Sequence, residues 1–240
     1  MSCASDRVRP GLFLLLLLVS FIPLRAAAPE PADSAGGQVP FRIEHAENFL
    51  QRKDSSGASV FILQGAVDVR RGESRILCDS LLYFPSGSWF LCLDSVHLTD
   101  PERELRCDSL VYYVERGFYR AAGSVRWSSQ GVSGIGRLGE YHRDSGLIRL
   151  EGQAAAWDSL RRIDADELEY ESNTHVLRAL GRVRMLEFAS RSTAQASSAV
   201  YRKDSGMVVL TGRPEIAYFE KGDSVSPYHL LSDELRRYGP

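Results

Sequence analysis

The sequence predicts an all-β protein built from about six repeats of roughly 29 residues, two strands each. Three observations carry this. A short motif ending in Tyr recurs at Tyr83, Tyr112, Tyr141, Tyr170 and Tyr201, at intervals of 29, 29, 29 and 31 residues. A second column follows eleven residues after each Tyr, at Asp94, Gly123, Gly152, Gly181 and Gly212, with Gly65 preceding the series. Around that column apolar residues alternate with polar ones, the period of a half-buried strand. Two columns held in one register over about 150 residues mark a repeat, in which no unit can bury its apolar face alone.

The 240 residues are 44% hydrophobic, 25% charged and 10% aromatic, globular proportions that exclude wholesale disorder, collagen and a polytopic membrane protein. The formal net charge is −2, and Arg7, Arg9 and Arg25 stand against only Asp6 in the first 28 residues, so the body is mildly acidic. Nucleic acid needs a basic footprint and is not expected as a partner.

The first element, residues 1–28, reads as a secretory signal peptide. Arg7 and Arg9 precede an apolar run from Leu12 to Ile22, broken only by Ser20, and Ala26, Ala27 and Ala28 follow. Such a run spans ~17 Å as a helix, short of a ~30 Å hydrocarbon core. A retained anchor is the alternative, and the cut site stays open. Residues 29–40, rich in Pro, Gly and Ala, read as a flexible leader. The expected location is the periplasm, reached through this signal, with association to the inner or outer membrane left open. Residues 41–240 form the repeat domain.

Within a unit, the first strand closes on the Tyr: CDSLLY, CDSLVY, GRLGEY, ADELEY and ASSAVY. Weaker copies begin at Ala46 and Asp233. A turn follows, as HRDSG at 142–146, RKDSG at 202–206 and FPSG at 84–87. The second strand straddles the Gly column. Four residues before it stand Phe61, Phe90, Tyr119, Ile148, Leu177 and Val208; two before it stand Leu63, Cys92, Ala121, Leu150, Ala179 and Leu210. Two after it stand Val67, Val96, Val125, Ala154, Val183 and Pro214; four after it stand Val69, Leu98, Trp127, Ala156, Met185 and Ile216. Gly in mid-strand predicts a bend or bulge. Pairing Tyr141 with Ile148 sets Glu140 opposite Arg149, and pairing Tyr170 with Leu177 sets Glu169 opposite Arg178, so each register agrees on both faces. Strict alternation would put Asp79, Asp108 and Asp166 on the apolar face, which calls for a corner or bulge there. Two shapes fit: a closed solenoid with a filled core, or a bent double sheet with a groove.

Chemistry candidates are few. Cys78 and Cys107 share a column with Gly136, Ala165 and Ala196, and Cys92 shares one with Ala121 and Ala179, which reads as small core fillers. A disulfide between Cys78 and Cys107 is the alternative in an oxidising compartment. His45, His97, His142, His175 and His229 are scattered without metal-ligand spacing. The glycines of 131–136 lack the helix and Lys-Ser/Thr of a phosphate loop, and no GxSxG elbow occurs. Neither an enzyme nor a cofactor is expected. A glycan site would want aromatics at the outward positions, which carry Arg, Ser and Glu more often, with Trp89 the exception.

The recurring CDSLLY, CDSLVY and ADELEY, with Gly-x-Val recurring in the same register (Gly65-Ala66-Val67, Gly123-Ser124-Val125, Gly181-Arg182-Val183), resemble the OstA-like family, which includes LptA, LptC and the N-terminal domain of LptD. The resemblance runs from about Phe41 to the C-terminus, and Asp94, Arg137-Leu138-Gly139 and Pro214 depart from its pattern. It implies a bent β-jelly roll (β-taco) that shields the lipid A acyl chains of lipopolysaccharide and forms part of a non-enzymatic bridge to the outer membrane. It also implies head-to-tail self-association, or docking to other jelly-roll components, through terminal edge strands. The candidate lining residues are then Phe61, Leu63, Val67, Val69, Tyr83, Phe90, Val96, Leu98, Tyr112, Tyr119 and Val125, continuing with Trp127, Tyr141, Ile148, Leu150, Tyr170, Leu177, Val183, Met185, Val208, Leu210 and Ile216. The alternative function is a structural β-solenoid scaffold of the cell envelope.

Overall fold

The structure, a computed structural model, describes residues 41–219 and 227–237. The expected signal peptide and leader lie outside the described residues. Every repeat unit contributes two antiparallel strands to one sheet. They are β1 (Arg42–His45), β2 (Asn48–Lys53), β3 (Ser59–Arg71), β4 (Ser74–Phe84), β5 (Trp89–Asp100), β6 (Arg103–Tyr113), β7 (Phe118–Ser129) and β8 (Val132–His142). They continue as β9 (Leu147–Trp157), β10 (Arg161–Glu171), β11 (Val176–Glu187), β12 (Thr193–Arg202), β13 (Met207–Thr211), β14 (Glu215–Tyr218), β15 (Tyr228–Leu231) and β16 (Glu234–Arg237). From β3 to β13 each strand pairs with its sequence neighbour, and the sheet does not close into a barrel. For the described residues this sequential antiparallel pairing is not the coil-on-coil stacking of a solenoid. Among the described residues the one helical segment is a single 3-10 turn, Pro85–Gly87, at the FPSG sequence.

In β3, β5, β7, β9 and β11 the pairing register slips at the Gly column. In β7 the register slips between Ala122 and Val125, with Gly123 at φ +75° and Ser124 at φ +48°. The mid-strand Gly thus opens a bulge of two successive left-handed residues. At the second position the chain accepts Ala66, Ser95, Ser124, Gln153, Arg182 and Arg213, and at the first it accepts Asp94, a residue type that tolerates this region. The need for Gly at position one has a second cause. A Cβ on Gly123 would lie 2.1 Å from Asp108 Oδ2, because the Asp108 side chain folds over that α-carbon. Asp166 covers Gly181 in the same way. Asp79, Asp108 and Asp166 therefore leave the apolar face at the bulge, the corner that alternation required.

The bend divides the sheet into two leaves. The first leaf holds the Tyr ends of the strands with β2, β13 and β16; the second holds the opposite ends with β1, β14 and β15. Their apolar sides face each other. Trp127 of the second leaf lies 5.6 Å from Tyr170 of the first, ring to ring. The leaves are not in step: Arg71 on β3 meets Tyr112 on β6, Arg103 on β6 meets Tyr141 on β8, and Arg161 on β10 meets Tyr201 on β12. A second-leaf residue thus meets a first-leaf residue two or three strands further along.

The register follows the sequence-based expectation: Tyr141 pairs with Ile148, Glu140 with Arg149, Tyr170 with Leu177 and Glu169 with Arg178. The ion pairs differ in detail. Arg149 lies between Glu140 and Glu169 on flanking strands and bonds Glu169 and, at 3.1 Å, Glu167; Glu140 takes Arg120 at 3.5 Å, and Arg178 takes Glu171. An arginine between two acids has a choice that the register alone does not decide. The outcome is a ladder of alternating charge across β7 to β11 on the outer face. Exposed pairs of this kind add little stability but penalise a slip of register.

Candidate binding interior and its seam

The apolar columns form the wall between the leaves. Of the lining candidates, Leu63, Val67, Val69, Phe90, Val96, Leu98, Tyr112, Val125, Trp127, Ile148, Leu150, Tyr170, Leu177, Val183, Met185, Val208 and Leu210 are buried in one continuous core. Tyr83, Tyr119, Tyr141 and Ile216 are partly buried against it, and Phe61 is half-buried between the rings of Phe49 and Tyr83. The columns therefore share one face from β3 to β14. In mid-stack that face is filled by its own side chains. Gaps within it measure about 40 Å³, lined by Leu98, Trp127, Tyr141, Ile148 and their neighbours, and about 20 Å³ beside Arg161 and Tyr170.

At the two ends the same face is uncovered. Phe49 pairs with Leu63, so it points inward by register, and it is 52% exposed; Ile43, opposite Val69, is exposed as well. At the other end Leu230 pairs with Ile216 and Tyr228 with Tyr218, and Tyr228 is also 52% exposed. The strand edges of β1, β2, β15 and β16 carry no further pairing among the described residues.

Sequence reasoning missed the rim where the leaves meet away from the bend. Arg71 Nη1 donates to Tyr112 Oη at 2.7 Å, and its guanidinium lies 5.1 Å from the Phe41 ring. Arg103 sits 4.4 Å over the Tyr141 ring and is held by Asp100 at 3.0 Å. Arg161 sits 4.5 Å over the Tyr201 ring. Its Nη1 donates to the Gly206 carbonyl at 3.4 Å, and its Nη2 lies 3.7 Å from Glu187. Tyr201 donates to Asp158 at 3.0 Å, Lys203 Nζ donates to the Gln130 carbonyl at 2.8 Å, and His175 Nε2 lies 3.2 Å from Gln130 Oε1. The interaction is of known strength, since a cation over an aromatic ring contributes about 0.5–2 kcal/mol depending on desolvation. The signal was present, as an Arg beside several second-leaf turns, but matching it to a Tyr requires the stagger of the leaves.

Burial governs the electrostatics here. Burial, then the Asp158 charge, pushes the Tyr201 hydroxyl up to about 12. Burial alone would raise the Glu187 carboxyl, but hydrogen bonds from Ser190 and Arg237 and the Arg161 charge outweigh it and hold the group below its usual value. Among the described residues two buried polar atoms of this rim have no partner, Arg161 Nε and Tyr170 Oη, and Trp127 Nε1, on the ring beside Tyr170, is a third.

Cys78, Cys92 and Cys107 are buried free thiols. Val96 pairs with Cys107 on one side and stands next in register to Cys78 on the other, so two strand spacings, about 9.6 Å, separate the two cysteines. A disulfide needs Cα atoms within about 7 Å, so that pairing is excluded. Cys92 instead touches Cys78, and that contact, with burial, raises its thiol well above the usual value; burial and the Asp108 charge push Cys107 to about 12. The described residues hold no cluster of three or more potential metal ligands. His97, His175 and His229 pair with Glu104, Asp204 and Glu215 on the surface. Trp89 stacks on Phe84 at 4.0 Å and neighbours Tyr113, which spends its ring face on the adjacent strands rather than offering it to a sugar. Among the described residues no helix is long and apolar enough to cross a membrane, which says nothing of crossing by strands.

Residues 50–176 match the family described as LptA/(LptD N-terminal domain) LPS transport protein. Comparison with curated proteins gives no match. Among solved structures the chain is similar to LptH, the LptA-homologous periplasmic component of the lipopolysaccharide transport device of Pseudomonas aeruginosa. That likeness is 12% identical with a TM-score of 0.46, covering 47% of this chain and 93% of the other.

Proposed function

Because the chain belongs to the LptA/LptD N-terminal-domain family of lipopolysaccharide transport proteins, we propose that it works in the periplasm, shielding lipid A acyl chains between its two leaves as one segment of a bridge to the outer membrane. The observation that carries this is the continuous apolar face from β3 to β14, left uncovered at both ends through Phe49 and Ile43 and through Tyr228 and Leu230. Each CH₂ of an acyl chain exposed to water costs about 0.8 kcal/mol, so several chains need unbroken cover along their path. Uncovered inward residues at both ends let that cover pass from one segment to the next. The free strand edges there suit strand addition, either by a second copy or by another jelly-roll component. Residues 1–28 act as the export signal and residues 41–240 as the carrier domain. The chain performs no catalysis, and movement draws on energy supplied by another component.

The filled mid-stack favours a second reading, a structural scaffold with a dry core. Gaps of 20–40 Å³ fall far short of the roughly 150 Å³ that admits a benzene ring. The carrier reading therefore requires the leaves to part. Native mass spectrometry of the protein purified from the cell envelope tests the choice. Co-purified lipopolysaccharide or lipid A, lost in Ile148→Asp variant protein that is still folded, supports the carrier. A bare chain mass that is unchanged after incubation with lipid A supports the scaffold.

A further inference from the structure

We infer that the arginine–tyrosine rim is a binding site for the anionic headgroup of the carried amphiphile, with Arg71, Arg103 and Arg161 exchanging their tyrosine partners for headgroup oxygens when the leaves part. This rests on the carrier reading. Three observations lead to it. First, an amphiphile whose tails lie between the leaves must bring its polar head out at the rim. The rim carries one arginine at each of three stations along the stack, on Tyr112, Tyr141 and Tyr201. Second, the tyrosine contacts of these arginines are replaceable ones: a phenol hydroxyl at Arg71 and ring faces at Arg103 and Arg161, with a backbone carbonyl at 3.4 Å and a carboxylate at 3.7 Å beside Arg161. The exception is the Asp100 bond to Arg103, which orients that side chain. A phosphate or carboxylate offers a guanidinium stronger, forked hydrogen bonds.

Third, the closed rim is under-satisfied where it is most buried. Arg161 is 5% exposed and its Nε has no acceptor; Tyr170 is 4% exposed and its hydroxyl has no partner. Both line the same gap of about 20 Å³, together with Lys203, His175, Tyr201 and Asp158. Unmade hydrogen bonds of buried donors are costly, and an oxygen-rich group entering between the leaves would complete them. Asp158 is already occupied, accepting from Tyr201 and from the backbone N–H groups of Leu160 and Arg161. It therefore does not block an anion at Arg161. The closed clasp and the loaded site are in this account two states of the same residues, so headgroup binding and opening of the leaves are one event.

The test compares lipid A with lipid A stripped of its phosphates, the acyl chains being identical. Dissociation constants are measured for the parent chain, for Arg71→Gln with Arg103→Gln, and for Arg161→Gln. The parent is expected to prefer the phosphorylated lipid by about tenfold or more, the scale of one or two charge-assisted hydrogen bonds. Either variant should cut that preference to within about twofold while leaving binding of the stripped lipid unchanged or tighter. A parent that binds both lipids equally, or variants that keep the full preference, overturns the headgroup site and leaves the carrier reading standing. A parent that binds neither lipid removes both. Should Arg161→Gln fail to fold, a second measurement decides. Gln130→Cys with Lys203→Cys, joined by a short cleavable thiol cross-linker, holds the rim shut. Lipid binding should disappear on cross-linking and return on cleavage, and undiminished binding by the closed form would refute opening at this rim.

Discussion

Ile148→Ala tests whether the mid-stack interior is as tightly filled as its burial implies. Ile148 is 3% exposed and lines the gap of about 40 Å³ with Trp127, Tyr141 and Leu150. The substitution removes three carbons. At about 0.8 kcal/mol each, transfer alone costs about 2.4 kcal/mol. The remaining term depends on collapse, and collapse is restricted here, because β9 is hydrogen-bonded to β8 on one side and β10 on the other. Large-to-small changes at such sites cost about 2–5 kcal/mol, and we expect about 3. Urea unfolding followed by tryptophan fluorescence measures this; with a slope of about 2 kcal/mol per molar, the midpoint should fall by about 1.5 M. The enlarged gap should then admit a small apolar probe such as benzene, and at 100 times its dissociation constant the probe should restore about 2.7 kcal/mol. A loss below about 1 kcal/mol would refute the close packing inferred around Ile148. So would a full loss with no response to the probe, since the walls would then have closed on the gap.

Four further outcomes are expected. Gly123→Ala should cost about 1–2 kcal/mol for its left-handed backbone, and adding Asp108→Gly should relieve only the clash, so full recovery in the double variant would refute the strain argument. Tyr170→Phe should raise the unfolding free energy of the lipid-free chain by about 1 kcal/mol, because it deletes a buried hydroxyl with no partner; a lower midpoint would show that the hydroxyl is bonded in solution. The depressed Glu187 carboxyl contributes stability that is present above its unfolded value of about 4.5 and is lost as pH falls through its lower folded value, so Glu187→Gln should flatten the acid limb of a stability–pH curve below about pH 4.5. The buried, proton-retaining thiols of Cys92 and Cys107 should resist maleimide at pH 7.5 in the folded chain and react once urea unfolds it; fast labelling in the native state would show that the core opens at the bend.

Much of this architecture was legible because a repeat states its own register. Glu140 facing Arg149 and Tyr141 facing Ile148 came from two independent face patterns that agreed, and the paired strands follow both. The bend was legible from Gly123 and its equivalents, but its second left-handed residue was not, since Ser124, Gln153 and Arg182 share no side-chain type. Closure at the rim was hidden for a different reason. Arg71 and Tyr112 are brought together by the lean of one leaf over the other, which no count along a strand reveals. The filled interior was hidden too, because an apolar column reads the same whether it lines a groove or packs against its counterpart.

The lean of the leaves has a consequence for how copies can join. The second leaf runs two or three strands ahead of the first, so the stack does not end squarely. Among the described residues the first leaf carries a shelf without a roof at the β1/β2 end, where Phe49, Phe61 and Tyr83 stack on one another. At the β15/β16 end the second leaf projects, with Tyr218 stacked on Tyr228. In carpentry this is a scarf joint. Two copies set head to tail bring a projecting roof over a bare shelf, whereas two set head to head bring shelf against shelf and leave both bare. A row of such segments would have a built-in direction, set by the offset of the leaves rather than by any one side chain.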